Sequence, residues 1–284
     1  MLGPAEVREL LERRGLSARR SLGQNFVADP TVVEWIADVA AVGVGDAVLE
    51  VGPGLGSLTL ALAATGAHVL AVEKDAGLVP VLNDVLAASG VTTGVGPGQV
   101  EVHRADALEV SWPELLRGSD QWTLVANLPY NVAVPVVLSM LEDAPMVHHL
   151  VVMVQREVAE RLAADPGGRT IGMPSLRTAW YASSEILGDV GPESFVPAPR
   201  VVSSVISLRR RPAPSTELRA DEVLRLADTA YRQRRKMLRS TLGHEVSAAV
   251  FARAGIDPTA RPETLSITDW TRLAEMLRTA EVSP

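Results

Sequence analysis

Residues 47–56 read Ala47-Val48-Leu49-Glu50-Val51-Gly52-Pro53-Gly54-Leu55-Gly56, and the fold follows from them. An apolar run with β-branched residues predicts a buried strand, and the glycine cluster behind it predicts a tight turn. Leu58 to Ala64 then supplies good helix formers. Strand, glycine turn and helix in that order open a nucleotide-binding α/β unit. Its glycines let the backbone approach a ligand, and its helix N-terminus offers unpaired N–H groups.

The spacing narrows the ligand. A dinucleotide fingerprint needs a glycine at position 57, where this chain has Ser57. The pattern is instead Gly52-x-Gly54-x-Gly56. A second apolar run, His68 to Val72, ends in Glu73, about 20 residues past the first glycine, where an acid grips a ribose. This form, with its acid, is the common pattern of S-adenosylmethionine enzymes. A purely structural turn with a solvated Glu73 is the alternative.

Composition bounds the rest. The 284 residues suffice for one large domain and a small one. There is no cysteine, which excludes disulfides and thiolate metal sites and is compatible with a reducing cytoplasm. The five histidines show no metal-ligand spacing, so no metal is expected. No signal peptide is expected, because Arg8, Arg13 and Arg14 stand among acids at the N-terminus with no apolar core, and no membrane span, because Glu34, Asp38 and Asp46 break the long apolar stretches. A net charge of −7 argues against an overtly basic nucleic-acid binder. Yet between Pro197 and Ser240 eleven Arg and Lys stand against four Asp and Glu, enough to hold phosphate locally.

Outward from the glycine turn, the chain reads as α/β with a mostly parallel sheet. An N-terminal amphipathic helix, Glu6 to Arg14, leads through Arg19-Arg20 into the polar loop Ser21-Leu22-Gly23-Gln24-Asn25-Phe26-Val27. That loop either hands Gln24 and Asn25 to a ligand or is turn chemistry alone. Asp29 and Pro30 read as the N-cap and first residue of a helix running from Thr31 to Ala41. Leu78 to Ala88 reads as a helix, and Val100 to His103 as a third strand. Asp106 follows, either accepting from an adenine amine at the sheet edge or capping the next segment.

A fourth strand, Trp122 to Ala126, ends in Asn127-Leu128-Pro129-Tyr130, the most informative motif. Pro129 stiffens the backbone and holds Leu128 extended, so the Asn127 amide oxygen and the Leu128 carbonyl can converge on one amino group. Tyr130 offers a face on which a base stacks. The arrangement suits a planar exocyclic amine, with positioning as the source of catalysis. A proline turn with a core Tyr is the bland alternative.

His149 to Val154 reads as a fifth strand, Gln155 to Leu162 as a helix, and Asp165 to Pro174 as a loop. Phe195, before the strand Val201 to Leu208, is either the second aromatic of a base clamp or core. Arg209-Arg210-Arg211-Pro212 marks a boundary, giving domains at 1–211 and 212–284. Beyond it lie helices over Asp221 to Tyr231, Gln233 to Leu242, Val246 to Ala254 and Ser266 to Ala280, the last capped by Pro262 to Ser266. The run Arg232-Gln233-Arg234-Arg235-Lys236-Met237-Leu238-Arg239 grips an RNA backbone or is a solvated basic face.

Taken together, these motifs resemble the ribosomal RNA adenine dimethyltransferase family, in its bacterial small-subunit branch. The matching stretches are Gly23 to Phe26, Glu50 to Gly56, Val72-Glu73, Asp106-Ala107, Asn127 to Asn131, Phe195 to Ser203, Arg234 to Arg239 and Arg261 to Ser266. The resemblance implies a Rossmann-like methyltransferase domain with a small all-α C-terminal domain. It implies two methyl transfers from S-adenosylmethionine to N6 of each of two adjacent adenosines near the 3′ end of small-subunit rRNA, with a role in small-subunit biogenesis.

By the family pattern Gln24, Asn25, Val27, Gly52, Gly54, Gly56, Glu73, Asp106, Ala107 and Asn127 line the donor site. Asn127, Leu128, Pro129 and Tyr130 hold the target adenine, with Phe195 on its other face. Arg232, Arg234, Arg235, Lys236 and Arg239 meet the rRNA of a pre-ribosomal particle. The chain departs from the family at Ile171-Gly172-Met173-Pro174-Ser175, where Tyr-Gly-x-Leu-Ser is usual. A cytoplasmic monomer is expected. The alternatives are the antibiotic-resistance branch acting on large-subunit rRNA, and an assembly factor with secondary methylation. A nucleotide-dependent oxidoreductase is disfavoured by Ser57 and by the Asn-Leu-Pro-Tyr turn.

Overall fold

The computed structural model describes residues 1–19 and 22–282; Arg20 of the basic pair and Ser21 of the polar loop lie outside the described residues. The chain divides into two compact units, Met1–Ala159 with Glu185–Arg210, and Glu160–Ser184 with the chain from Arg211 onward. Residues 160–184 therefore fold with the helical unit, whereas the sequence reading puts the division at 211/212.

In the first unit, strands β2 (Ala47–Val51), β3 (His68–Glu73), β4 (Val100–Arg104), β5 (Trp122–Asn127) and β6 (Val147–Gln155) run parallel. Strand β9 (Ser203–Arg210) adds antiparallel to β6, and β7 (Ala182–Val190), whose first three residues fall on the other side of the division, completes the order β4-β3-β2-β5-β6-β9-β7. Parallel strands covered on both faces must be apolar throughout. All five residues of β2 are accordingly buried, Glu50 among them.

Helices α2 (Pro30–Ala40) and α3 (Ser57–Ala64) pack in the principal core with the sheet residues Val48, Val69 and Val125. The first seven residues of α3 are buried, which is why it shows no polar face in the sequence. Asp29 caps α2 as expected, its carboxylate accepting from Thr31 N at 3.0 Å. The helix stops at Ala40 because Ala41 turns left-handed at φ 54°.

Helices α1 (Pro4–Arg13), α4 (Leu78–Ala88), α5 (Trp112–Leu115) and α6 (Ala133–Asp143) also belong to this unit, and α7 (Arg156–Leu162) straddles the division. Val7 and Leu11 of α1 form a satellite cluster with Phe26, Leu55, Leu78 and Val81. A two-stranded ribbon joins β1 (Phe26–Val27) to β8 (Phe195–Val196), pairing Phe26 with Val196 and Val27 with Phe195.

The second unit is helical: α8 (Met173–Tyr181), α9 (Ala220–Tyr231), α10 (Leu238–Leu242), α11 (Ala248–Ala254) and α12 (Ile267–Val282). Trp270 and Phe251 are buried at its centre, and Leu176 and Trp180 of α8 join the same core. That apolar contribution ties 160–184 to the helices. Ser266 and Asp269 form the reciprocal cap of α12, each side chain accepting from the other's backbone N–H.

The predicted helix from Gln233 to Leu242 is not continuous. Arg232 to Lys236 form a tight turn, with Lys236 N donating to Gln233 O at 2.8 Å, and Met237 is extended. Leu238 N and Arg239 N donate to Ala260 O and Pro258 O, so a neighbouring segment satisfies them. Four cations among the five residues 232–236 would also repel one another on a helix. Among the described residues no helix is long and apolar enough to cross a membrane.

Candidate active site

In an open α/β sheet, ligands bind outside the carboxyl ends of the strands where the order reverses. Here that point lies between β2 and β5, since β3 and β4 lie on one side and β6 on the other. A cavity opens there. Its walls come from the ends of β2 (Glu50 to Gly54), β3 (Val72 to Lys74), β4 (Ala105 to Leu108) and β5 (Asn127 to Val132), with the loop Leu22 to Val27.

The glycine turn wraps around a carboxylate. Gly54, at φ 59°, donates its N–H to Glu73 Oε2 at 3.1 Å, and Asp75 N donates to Glu73 Oε1 at 2.7 Å. A Cβ on Gly54 would meet the Phe26 ring at 3.0 Å, so loop and turn touch only because this residue is glycine. Burial raises the Glu73 carboxyl above its ordinary range against the pull of these N–H groups. Gly56 differs from its expected place at the donor: it caps α3 under Leu82 and is absent from the cavity wall.

Glu50, which the motif pattern does not single out for the donor, is the most perturbed group in the cavity. It is buried, and Oε2 has no hydrogen-bond partner among the described residues. Desolvation pushes it up to about 8, and the nearby Glu73 charge adds to the rise. The signal for it in the sequence is a carboxylate inside an otherwise apolar strand.

At the other rim Asp106 serves both readings. Its Oδ1 accepts from Leu108 N at 3.0 Å, the cap-like turn, while the side chain also lines the cavity beside Ala107. Its Oδ2 takes Lys74 Nζ at 2.5 Å, and this partner holds the carboxyl below the usual range.

The loop and the Asn-Leu-Pro-Tyr turn lock together. Asn127 Nδ2 donates to the Asn25 carbonyl at 3.1 Å, which leaves the side-chain oxygen as the atom available to accept. Gly23 sits against the turn so closely that a Cβ would meet Asn131 Oδ1 at 2.6 Å. Gln24 lines the cavity, but both ends of its amide brace the loop, one on Arg19 N and the other on Asp75 Oδ2. Val27 is buried in the cavity wall.

Leu128 is buried, its N–H bound to Met153 O, and Pro129 packs beside Gly52. Tyr130 is half-buried, its hydroxyl 2.7 Å from Ser203 Oγ, and burial raises the phenol. Phe195 is not brought to this cavity. It is 3% exposed inside the principal core and does not line the wall, so the second half of a clamp is not assembled here.

The basic residues lie in the other unit and are all exposed. Arg232 pairs with Asp228 and Arg234 with Glu263, while Arg235 and Lys236 reach no carboxylate at ion-pair distance among the described residues. Ile171 to Ser175 run into the start of α8, where Gly172 N donates to Ser175 Oγ. No group of three or more His, Asp or Glu among the described residues could hold a metal.

The sheet order, the glycine turn and the cavity at the switch point define a Rossmann-like methyltransferase. The chain belongs to the ribosomal RNA adenine dimethylase family, whose sequence pattern matches residues 15–279. It is 46% identical over 280 residues to the ribosomal RNA small subunit methyltransferase A of Thermobifida fusca, covering 97% of this chain and 96% of that one. It is 47% identical over 279 residues to the protein of the same description from Kineococcus radiotolerans, covering 96% and 91%. Its fold is similar to that of a dimethyladenosine transferase from Plasmodium falciparum, with a TM-score of 0.75 at 21% identity over 89% of this chain and 97% of the other.

Proposed function

We propose that the protein transfers methyl groups from S-adenosylmethionine to N6 of two adjacent adenosines near the 3′ end of small-subunit rRNA, within a pre-ribosomal particle. The observation that carries this is the anchoring of Asn127 to the Asn25 carbonyl, which dedicates its oxygen to accepting. The small-subunit description of the relatives favours this substrate over large-subunit rRNA.

The cavity suits the donor. An apolar floor from Val51, Leu55 and Val72 meets a nucleoside, and Glu73 faces its ribose while Asp106 meets its adenine. The unpartnered Glu50 oxygen suits the ammonium of the donor's tail as a hydrogen-bond acceptor, and that positive charge would favour ionisation of the carboxyl. S-Adenosylmethionine, when bound, supplies an electrophilic methyl on a sulfonium.

The chain's own part is to present the nucleophile. Asn127 Oδ1 and the Leu128 carbonyl accept the N–H groups of the target amine and help localise on nitrogen, toward the methyl, a lone pair otherwise delocalised into the ring. The methylated nitrogen, now cationic and acidic, releases one proton to water, and a single N–H remains for them to hold. Pro129 keeps the two acceptors fixed, and Tyr130, tied to Ser203, stacks on the base. Preorganised acceptors of this kind act without a general base. The adenine must leave any local stack to reach them. The exposed Arg232, Arg234, Arg235, Lys236 and Arg239 hold the rRNA backbone.

Transfer of labelled methyl to undermethylated small subunits, large subunits and free adenosine tests the proposal. Label on small subunits alone, recovered as N6,N6-dimethyladenosine, is the expected result. Label on large subunits moves the activity to the resistance-type reaction. Binding to small subunits without label, with the donor bound, leaves an assembly factor.

A further inference from the structure

We infer that Lys74 is a positioning residue for the donor site, fixing the Asp106 carboxylate so that it reads an amino group at position 6 of the donor's purine. This rests on the donor reading proposed above and deepens it.

The placement follows from the sheet. Strands β3 and β4 are parallel neighbours, in register from Val69 with Val100 to Glu73 with Arg104. The residues just past their ends, Lys74 and Asp106, therefore emerge side by side, and both line the cavity. Lys74 Nζ holds Asp106 Oδ2 at 2.5 Å while Leu108 N holds Oδ1 at 3.0 Å. A carboxylate gripped at both oxygens has no freedom about its terminal torsion. Each oxygen still carries a lone pair for a ligand N–H.

Stability does not account for the pair. The Lys74 side chain is 59% exposed against 18% for Asp106, and ion pairs at such a site contribute little to folding. Only two of the 27 basic residues are lysines. This one stands on a cavity wall with the carboxyl groups of Glu50, Glu73 and Asp106 and, among the described residues, no other cation. A Lys ammonium is a compact charge with three donors, so one can hold the carboxylate while the others stay solvated.

The chemistry gives selectivity. A 6-amino group donates to the fixed carboxylate. A 6-oxo group presents an acceptor to it, and two acceptors repel. Sites built to bond a donor reject analogues lacking it far more strongly than apolar pockets reject a change in size. Without Lys74, Asp106 keeps its turn bond but can rotate its other oxygen toward water.

The test is binding of S-adenosylhomocysteine and S-inosylhomocysteine to the full chain, measured by titration calorimetry. The variants are Lys74→Met, Lys74→Arg, Asp106→Asn and the double substitution Lys74→Met/Asp106→Asn. Wild type should favour the adenosyl compound. Lys74→Met should shrink that preference about three- to tenfold, and Lys74→Arg should restore most of it, because a charge-assisted hydrogen bond is about twice as strong as a neutral one. Asp106→Asn should lower it further, and adding Lys74→Met to it should change nothing more. An unaltered preference in Lys74→Met overturns the inference. So does tighter adenosyl binding, which would make Lys74 a competitor for Asp106. If wild type binds neither compound, the donor reading beneath the inference fails instead.

Discussion

Replacing Glu50 by Gln should reshape the pH dependence of stability. The folded state keeps this carboxyl protonated up to about 8, whereas the unfolded chain releases the proton near 4.5. Between those values the unfolded state binds fewer protons, so stability falls as pH rises and levels off above the folded pKa. At about 1.4 kcal/mol per unit, the full span corresponds to roughly 5 kcal/mol as a ceiling, and the interval from about pH 6 to pH 8 to roughly 2–3 kcal/mol. Glutamine keeps the shape and drops the titration. The variant should match wild type near pH 5 and exceed it at pH 8 by roughly 5–10 °C in the melting temperature of the sheet unit. Calorimetry at several pH values follows the transition. Burial raises Glu73 as well, and below about pH 8 it titrates beside an uncharged neighbour in both proteins, so most of its contribution drops out of the difference. Parallel pH profiles for the two proteins would refute the assignment of a buried, neutral Glu50.

Asn127→Ala removes the oxygen that accepts the target amine and should lower the methyl-transfer rate about 100- to 1000-fold in single turnover, the scale set by loss of one preorganised polar group. Gly23→Ala places a methyl 2.6 Å from Asn131 Oδ1 at a φ of +66°, so the loop must withdraw from the turn. Its KM for the donor should rise, and thermal stability should fall by about 1–2 kcal/mol. Replacing Arg234, Arg235 and Lys236 together by Ala should weaken binding of an rRNA fragment without regard to sequence. Filter binding across salt concentrations should show the slope of log K against log salt flattening by about 0.7–0.9 for each phosphate no longer neutralised.

The parallel core was legible because its signals are local: continuous apolar strands, a glycine turn and Asp29 before Pro30 each act within a few residues. What escaped depended on distant partners. Strand β7 is buried only at its two ends and carries no apolar run, so nothing in Ala182–Val190 announces it. The basic run favours helix residue by residue, yet Ala260 and Pro258 take the backbone donors of Leu238 and Arg239 and break it. Residues 160–184 join the helical unit through Leu176 and Trp180, a packing decision invisible to a boundary drawn from Arg and Pro.

The site shows the same division. Spacing points to Glu73, a place past a strand end leaves Asp106 as ligand or cap, and the Asn-Leu-Pro-Tyr motif points to Asn127; the structure gathers all three around one cavity. Gly56 fits the same glycine pattern but serves the packing of α3, a distinction that only its closeness to Leu82 reveals. Phe195 could be core or clamp by sequence, and its burial puts it in the core. Lys74 carries no motif at all, because its meaning lies in the neighbouring strand.

The small ribbon of Phe26–Val27 with Phe195–Val196 bears on how this chain tolerates engineering. Ala28 N donates to Ser194 O at 2.8 Å, and Ser194 Oγ donates to Asp29 Oδ2 at 3.1 Å, extending the seam by two residues. Phe26 also rests on Val7 and Leu11 of α1. The front of the chain is thus a keystone rather than a trailing arm. Trimming through residue 27 would strip a strand from a segment almost 170 positions away and leave Phe195 unpaired. An affinity tag belongs ahead of α1, and a shortened version of this protein should be cut elsewhere.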